Sequence, residues 1–288
     1  MDLRRLRLFL AVVDEGSFTA AAEATHVAQP AVSLAVRDLE LELGASLLVR
    51  SRQGARATPA GEALIGPARQ ALRDVDNAAA AVAAVTGLVV GRLDLASLPT
   101  LAADPVADLV GRFRRAHPGV TVRLGAPVDL AELADDVRSG TAELGITERG
   151  PANGRLEEIP LHEQELVAVS PPGGSGREIR LDRLAGVPLV LSPIGTSMRD
   201  VVEAALAEVG VTPEVAVETA QRDALIPLVL AGAGTTFLPA TLARAAGHLG
   251  ATVRSPRPRL RRMLVVVHRT GPLGPAASRF VDLARRTP

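Results

Sequence analysis

The sequence predicts a helical N-terminal module, one long helix and a larger α/β region. Three patterns lead to this fold class. Apolar residues at helical spacing begin near the N-terminus and are interrupted by glycine and proline. A run from Pro59 to about Thr86 keeps an apolar residue at every third or fourth position. Beyond Gly91, short apolar strands alternate with helices, which is typical of α/β proteins with parallel sheets.

Composition narrows the class of protein. The 288 residues are 47% hydrophobic and 22% charged, enough for two domains with real cores. The absence of cysteine excludes disulfides, thiolate metal sites and a cysteine redox switch. The five histidines show no metal-ligand spacing, so we expect neither a metal nor another cofactor.

The charge is balanced, and every one of the 32 basic residues is arginine. Residues 1–90 carry nine arginines against ten acids, so contacts with nucleic acid must come from local placement of charge. The apolar run Leu8–Val13 is too short for a signal peptide. Ala78–Val90 is too short to span a bilayer. We therefore expect a cytoplasmic protein without membrane contact.

Two helices are predicted at the N-terminus. The first has apolar residues at 3-4-3 spacing and ends at Gly16. Ser17 stands where an N-cap residue belongs, ahead of a second helix over Phe18–Ala24. The apolar face of the first helix consists of Leu3, Leu6, Leu10 and Val13.

A third helix follows a short connection, His26–Ala28. Pro30 fits its first turn after Gln29, and Gly44 ends it after Leu43. Two helices joined by about four residues, the second entered through a polar residue and proline, are typical of a helix-turn-helix.

A two-stranded hairpin is predicted next. Ser46–Arg50 and Ala55–Thr58 flank a polar turn at Ser51–Gly54. A hairpin in this place is the wing of a winged helix-turn-helix. We therefore place a DNA-binding module in residues 1–58.

The long helix, residues 59–88, has two interpretations. Its apolar positions alternate by four and three residues, as in a heptad seam. Pairing with a second subunit is favoured because a long seam of small residues suits close helix packing, and the alternative is a helix packed on its own domain. The seam consists of Leu64, Ala68, Ala71, Val75, Ala78, Val82 and Val85.

Residues 89–288 are predicted to form the α/β region. Strands and helices alternate along it, which favours parallel sheets. The predicted strands are Arg92–Ser97, Thr121–Gly125, Glu143–Thr147, Leu166–Ser170, Leu189–Ser192, Glu214–Glu218, Thr235–Leu238 and Met263–His268. The predicted helices are Val106–His117, Leu130–Ser139, Met198–Val209 and Ala224–Gly232.

Several of these motifs resemble the N-terminal signature of LysR-type transcriptional regulators. They follow one another at the family's spacing over about the first 65 residues: Ser17–Glu23, Val27–Ser33, Leu39–Gly44, Leu47–Arg50 and Thr58–Gly61. The remainder resembles the family's two-lobed, periplasmic-binding-protein-like effector region, chiefly through Glu143–Ile146 and Leu230–Pro239. The resemblance implies lobe I at about 91–160 and 266–288, and lobe II at about 161–265.

The third helix would be the recognition helix. Only outward residues in its first turns can reach base edges in the major groove, and arginines on or beside the wing are suited to phosphate or minor-groove contact. For each arginine, the alternative is a solvated charge or an ion pair with Asp38, Glu40 or Glu42. The predicted DNA-binding residues are Gln29, Pro30, Ala31, Ser33, Leu34, Arg37, Arg50, Arg52 and Arg56.

The effector would lie between the lobes, where hydroxyls and helix N-termini favour a small anion. The resemblance implies that Gln221–Arg222 and Thr236–Phe237 form the far wall. Helix capping alone is the alternative for the serines and threonines. The predicted effector-binding residues are Ser97, Thr100, Thr147, Thr196, Ser197, Arg199, Gln221 and Phe237.

We therefore expect a transcriptional regulator that binds double-stranded DNA and responds to a small, anionic effector. The expected partners are a second copy of the chain, as a homodimer or tetramer, and RNA polymerase if the protein activates transcription. We expect no enzymatic activity, because no catalytic constellation is recognisable. Two rivals stay open: an α/β binding protein or enzyme with an N-terminal pairing module, and a DNA-binding protein whose C-terminal region serves only assembly.

Overall fold

A computed structural model describes residues 1–51, 54–85, 89–148 and 156–286. The N-terminal module begins with helices α1 (Leu3–Glu15), α2 (Phe18–Thr25) and α3 (Gln29–Leu43). Ser17 caps α2, since its side chain accepts hydrogen bonds from the backbone of Thr19 and Ala20. Gly44 ends α3 in the left-handed region at φ +67°. These are the helix ends that the sequence predicts.

The wing is formed by strands β1 (Leu48–Ser51) and β2 (Gly54–Ala57), paired antiparallel. Gly54 lies so close to the carbonyl of Gly16 that a Cβ there would collide with it. The Ala55 N–H donates to that same carbonyl at 2.7 Å. The wing is thus fixed against the turn between α1 and α2.

One apolar core holds the module together, and the long helix α4 (Pro59–Val85) contributes to it. Each of the first three helices buries one apolar face. The predicted face of α1 is only partly correct: Leu6 and Leu10 are buried, but Leu3 is 39% exposed. Phe9 and Val12 are buried in its place. The most enclosed side chains include Leu6, Phe9, Val12, Ala21, Val32, Val36, Leu39 and Leu47, together with Ile65 and Ala68 of α4.

The predicted seam of α4 divides into two parts. Ala68 is buried in the module's core, and Leu64 and Ala71 pack against that core. Val75 and Val82 are 46% and 73% exposed. The first part of the seam, Leu64 to Ala71, therefore packs on its own domain, as in the alternative interpretation. The second part, which includes Val75 and Val82, presents apolar side chains to solvent.

Helix α4 also contacts the α/β region. The Arg69 side chain donates to Thr141 Oγ1 and forms an ion pair with Asp14 of α1. One turn further along, Arg73 donates to the carbonyl of Gly140. The helix therefore connects the N-terminal module to the first lobe through polar contacts at i and i+4.

The α/β region continues through the following elements in chain order: β3 (Gly91–Ser97), α5 (Pro99–Leu101), an irregular helical turn (Ala102–Val106), α6 (Ala107–Ala116), β4 (Val120–Gly125), α7 (Leu130–Ser139), β5 (Leu144–Glu148), β6 (Leu156–Ser170), β7 (Glu178–Arg180), a 3₁₀ turn (Leu181–Leu184), β8 (Pro188–Leu191), α8 (Ser197–Glu208), β9 (Glu214–Glu218), a 3₁₀ turn (Arg222–Ala224), α9 (Leu225–Leu230), β10 (Thr236–Pro239), α10 (Ala240–His248), β11 (Thr252–Arg257), β12 (Leu260–Arg269) and α11 (Pro275–Arg285).

Two long antiparallel strands, β6 and β12, join the two lobes. Their register runs from Leu260 opposite Leu166 to Arg269 opposite Leu156, with an irregularity between Met263 and Val265. The order of the connected strands is β4-β3-β5-β12-β6-β11-β7, and β10 also pairs with β6. On one side β12 pairs with β5; on the other side of the irregularity β6 pairs with β10 and β11.

The predicted parallel arrangement is wrong for part of this region. β3 is parallel to β4 and β5, and β8 is parallel to β9. β12 and β6 are antiparallel to each other, and both also pair antiparallel with neighbouring strands. The sequence shows the alternation of elements but not that two strands cross between lobes, so the sheet is mixed.

Candidate DNA interface and effector cavity

The outer face of α3 is the candidate recognition surface. Val32, Val36 and Leu39 point into the core, which leaves the opposite side of the helix outside. Pro30 and Arg37 are exposed, Leu34 is 59% exposed, and Gln29, Ala31 and Ser33 are half-buried. Gln29 Nε2 donates to Ser33 Oγ at 3.2 Å, which orients the amide along the helix surface. The structure thus brings all six α3 residues predicted for DNA binding into the first turns of one helix.

The acids considered as partners for Arg37 are used elsewhere. Arg5 forms ion pairs with Asp38 at 3.4 Å and Glu42 at 3.1 Å. Glu40 Oε1 accepts from the backbone N–H groups of Leu47 at 2.8 Å and Leu48 at 3.1 Å, which ties α3 to the wing. No ion pair within the described ranges includes Arg37, so its guanidinium is available to a phosphate or a base.

The wing places basic residues beside this helix. Arg56 lies on β2 with its side chain exposed, and Arg50 lies on β1. Arg52 lies outside the described residues. A groove between α3 and the wing is lined by residues that include Gln29, Ser33 and Leu48. Its shape, with an outward helix and a flanking hairpin, is that of a module that inserts one helix into the major groove.

A cavity of about 380 Å³ lies between the two lobes. Its walls are mostly apolar and come from both lobes. The segment that begins at Pro99 forms one side, and residues of β8, α8, α9, β10 and α10 form the other. The lining side chains are Pro99, Thr100, Ala103, Leu191, Ser192, Met198, Arg199, Val202, Arg222, Asp223, Leu225, Ile226, Thr236, Phe237, Leu238, Pro239, Leu242 and Ala245.

A small polar neck of about 20 Å³ adjoins this cavity and shares Pro99, Thr100 and Arg222 with it. Thr196 and Ser197, at the N-terminus of α8, line the neck. Thr196 Oγ1 donates to the carbonyl of Pro193 at 2.8 Å and makes no cap bond to the helix. The first-turn N–H groups of α8 are therefore left without a side-chain cap next to the neck.

A buried polar network links the lobes beside the neck. Glu148 accepts hydrogen bonds from Ser197 Oγ and from Arg262, whose side chain is 2% exposed. Arg262 Nε donates to Gln164 Oε1 at 2.7 Å, and Gln164 Nε2 donates to Asp104 Oδ2 at 2.7 Å. Burial lowers the pKa of Arg262, and the neighbouring Glu148 carboxylate opposes that shift. The network joins side chains of both lobes through the two crossing strands.

The predicted effector-binding residues divide into two sets. Thr100, Arg199 and Phe237 line the cavity, and Thr100, Thr196 and Ser197 line the neck. The side chains of the other set lie outside both linings: Ser97, Thr147 and Gln221.

The three residues that lie outside both linings have different surroundings. Ser97 is fully buried and its hydroxyl donates to the Leu98 carbonyl at 3.2 Å. Thr147 is also buried, and its Oγ1 has no hydrogen-bond partner among the described residues. Gln221 is exposed, and its backbone N–H donates to Thr219 Oγ1 at 3.0 Å.

Sequence reasoning missed three residues of the interlobe network: the acid Glu148 and the hydrogen-bonded pair Gln164 and Arg262. Glu148, Gln164 and Arg262 lie on three different strands, and their proximity depends on the register of β6 and β12. Of the pair at 221–222, only Arg222 reaches the cavity. A charged residue directly before an apolar run, such as Arg262 before Met263–Val267, is the signal that could have indicated this network.

Comparison with known proteins identifies the family. The model for "Bacterial regulatory helix-turn-helix protein, lysR family" matches residues 3–62. The model for "LysR substrate binding domain" matches residues 86–288, well over half of the chain. The chain belongs to the LysR family of transcriptional regulators. The predicted family and fold class are thereby confirmed.

Relatives match this LysR-family chain along its length. The transcriptional regulator TfdS of Cupriavidus pinatubonensis is 31% identical over 296 residues, which cover 99% of this chain and 98% of TfdS. A full-length OxyR variant of Pseudomonas aeruginosa superposes with a TM-score of 0.80 at 24% identity, covering 99% of this chain and 95% of that one. CbnR in complex with its target DNA has a TM-score of 0.68 at 26% identity, with 99% of each chain covered.

Family membership establishes the general function. The protein is a DNA-binding transcriptional regulator with a small-molecule effector-binding region. The relatives are regulators of transcription, which are not enzymes. Within the part of the chain that the structure describes, no helix combines the length and apolar character needed to cross a membrane.

Proposed function

We propose that this LysR-family regulator reads its operator with the outer face of α3 and contacts phosphates through the wing. The observation that carries this proposal is the orientation of α3, whose core side is apolar and whose outer side presents Gln29, Leu34 and Arg37. Gln29 pairs with an adenine edge, Leu34 packs on a thymine methyl group, and Arg37 reaches guanine or phosphate. CbnR, 26% identical, was solved on its target DNA, which supports this orientation.

The test compares a base-reading residue with a phosphate contact. We expect Gln29→Ala to reduce the ratio of the affinity for operator DNA to the affinity for random DNA. Arg56→Ala weakens the affinities for both kinds of DNA equally and lowers the slope of log K against log salt by about one. Fluorescence anisotropy with a duplex from upstream of the protein's gene and with a scrambled duplex measures the affinity ratio and the salt dependence. Arg285→Ala, an exposed arginine on α11, is the matched control and leaves binding unchanged. Equal losses on both duplexes for Gln29→Ala would refute the assignment.

The division of the chain follows from the same proposal. Residues 1–58 form the DNA-binding module, 59–88 the connecting helix, and 89–288 the effector region, with lobe I near 91–160 and 266–288 and lobe II near 161–265. The irregularity of β12 between Met263 and Val265 lies at this lobe boundary and supports it. The exposed part of the α4 seam pairs with a second copy, which spaces two recognition helices on a roughly palindromic site.

The interlobe cavity is the proposed effector site, and rearrangement of the lobes on binding changes the spacing of the recognition helices. We place this regulator in the cytoplasm, where its DNA partner is, and assign it no catalytic activity. A turnover screen with metabolites tests the last point. A thermal-shift panel tests effector binding, because a ligand that binds only the folded state raises the Tm by mass action.

A further inference from the structure

We propose that Arg69 is the centre of a releasable latch between the DNA-binding module and lobe I. Its guanidinium forms an ion pair with Asp14 of α1 and donates to Thr141, just beyond the carboxyl end of α7. Closed, the latch holds the two parts in one orientation; open, it lets them turn independently. The inference goes beyond the proposed function, because it names the contact through which lobe I is coupled to the recognition helix α3.

One face of α4 is directed at lobe I. Its residues are Gly66, Arg69, Arg73 and Asn77. They follow one another at spacings of three and four residues, which places them on one side of the helix. Val75 of the exposed seam comes two positions after Arg73, roughly 200° around the helix at 3.6 residues per turn. Lobe I and a second copy of the chain therefore contact opposite sides of α4.

The carboxyl end of α7 is the docking point for this face. Arg73 donates to the carbonyl of Gly140, and Arg269 of β12 donates to the carbonyl of Val137 at 2.8 Å. Both guanidinium groups lie so close to Gly140 that a Cβ there would collide with them. The last carbonyls of a helix lack partners within it and carry the negative end of its dipole, so arginine donors are favourable there. α4 thus docks on lobe I at the end of one helix.

Arg69 extends this docking to the DNA-binding module. A cleft of about 700 Å³ lies between α1 and lobe I, beside α4, and charged side chains line it from both sides. The Arg69 side chain is 16% exposed, and its partner Asp14 is 51% exposed. The positive charge of Arg69 also opposes the burial that raises the pKa of Asp136 on α7. Arg69 is therefore attracted by one acid on each side of the cleft.

The chemistry of these contacts makes the latch releasable. The described apolar clusters of the module and of lobe I are separate, so the junction depends on polar contacts. An ion pair with one exposed partner is weak and is screened by salt. Burial and the charge of Arg269 lower the pKa of Arg73 to about 10, and its Nε is buried without a hydrogen-bond partner among the described residues. The cost of burying charge thus offsets much of the attraction, and docked and released states are close in free energy.

The latch determines how a rotation of lobe I affects DNA recognition. α4 contributes to the core of the DNA-binding module, so this helix and α3 move as one body. With lobe I docked on α4, a rotation of lobe I turns this body and α3 with it. With the latch open, lobe I rotates without moving α3. Ionic strength shifts the balance between the two states, because salt screens the pair of Arg69 and Asp14.

The absence of cysteine from the sequence permits a direct test on the full-length chain. Gly66→Cys and Ser139→Cys place one thiol on each side of the docked contact, since a Cβ at residue 66 would lie 3.9 Å from the Ser139 Cα, close enough for a disulfide. The rate of disulfide formation is followed by mass spectrometry and non-reducing gels. We expect an intrachain disulfide whose rate of formation falls at least threefold from about 0.05 M to about 0.5 M NaCl.

Charge reversal provides the matched comparison. Arg69→Glu replaces the attraction to Asp14 and Asp136 by repulsion, so the disulfide between residues 66 and 139 should form at least about fivefold more slowly. Adding Asp14→Arg restores an ion pair and should recover at least half of the lost rate. The control pair is Glu165→Cys with Arg261→Cys, directly opposite each other on β6 and β12. Neither salt nor Arg69→Glu should change the rate of this pair more than about twofold.

A second measurement avoids cysteine. Deuterium exchange of peptides that cover residues 137–142 should rise in Arg69→Glu and return when Asp14→Arg is added, because docking protects the end of α7. The inference is overturned if the disulfide forms between chains or not at all. It is also overturned if the rate and the exchange ignore salt and Arg69→Glu, or if Asp14→Arg fails to rescue them.

Failure of the latch is distinguishable from failure of the proposed function. Operator affinity of the unsubstituted protein is measured by anisotropy in the same buffers. Intact operator binding together with a failed latch test defeats this inference alone. Absence of operator binding defeats the proposed function, whatever the rate of disulfide formation.

Discussion

The two ends of this regulator place their functional residues in different ways. At the DNA end, the candidate contacts lie on α3 and the adjoining wing, between residues 29 and 56. At the effector end, the cavity is lined from segments that begin at residues 99, 191, 222 and 236. A continuous helix fixes which side chains share a face, whereas a cavity between lobes depends on sheet register and on the crossing strands.

This difference also concerns stability. The DNA-binding module has one core, to which α4 contributes, and the effector region has separate apolar clusters in its two lobes. A substitution in the first core should thus abolish one function and spare the other. A substitution at the boundary between the lobes should affect the effector region alone.

The largest expected effect comes from Phe9→Ala. Phe9 is fully buried in the core of the DNA-binding module, and removal of a buried phenyl ring costs about 3–5 kcal/mol of unfolding free energy. We expect the module to melt in a separate, lower calorimetric transition and operator binding to be lost. Effector-region melting and its shift by ligand should be unchanged. Simultaneous loss of both transitions would show that the ends are one cooperative unit.

Leu41→Ala serves as the control for Phe9→Ala. Leu41 is 71% exposed on α3, so its truncation should change the unfolding free energy by less than about 0.5 kcal/mol. Comparison of the two variants separates loss of the core from general sensitivity of the module.

An intermediate effect is expected at the exposed part of the α4 seam. Val82 is 73% exposed in one chain, and Val82→Asp would place two carboxylates against each other in a symmetric pair of helices. We expect the dimer dissociation constant, from analytical ultracentrifugation, to rise at least tenfold, or about 1.4 kcal/mol. Ala81→Asp, exposed beside the seam, should leave it unchanged. Equal effects would place the pairing surface elsewhere and weaken the contrast between the ends.

Sequence reasoning succeeded where structure is local. Ser17, Gly16 and Gly44 mark helix ends because each residue type satisfies a local requirement of the backbone. Pro30, Leu34 and Arg37 share the exposed face of α3 because the helical period fixes it. Nothing in the chain near Glu148 or Arg262 reveals that β5 and β12 bring them together. The parallel-sheet prediction is wrong for β6 and β12 for the same reason.

The partly correct predictions of effector-binding residues show what sequence reasoning cannot supply. Thr196 and Ser197 were predicted as hydroxyls at a helix N-terminus, and the structure places both in the lining of the neck. The resemblance gave the pair at 221–222 but not its orientation. The pair precedes α9 at a 3₁₀ turn that directs Arg222 inward and leaves Gln221 exposed. The phase of such a turn depends on tertiary packing, which sequence spacing does not contain.

The smallest expected effect concerns His162 on β6, at the lobe boundary. Burial lowers its pKa from the ordinary 6.5, and the nearby Asp104 carboxylate opposes the shift. As the pH falls below 6.5, the unfolded chain takes up a proton that the folded protein resists, so the free energy of unfolding decreases. His162→Gln should therefore reduce the drop in effector-region Tm between about pH 7.5 and 5.5. His248→Gln, at an exposed position on α10, should not. Because His162 belongs to the effector region, the transition of the DNA-binding module should keep its pH dependence in both variants. A change there would mean that the two ends are coupled through α4.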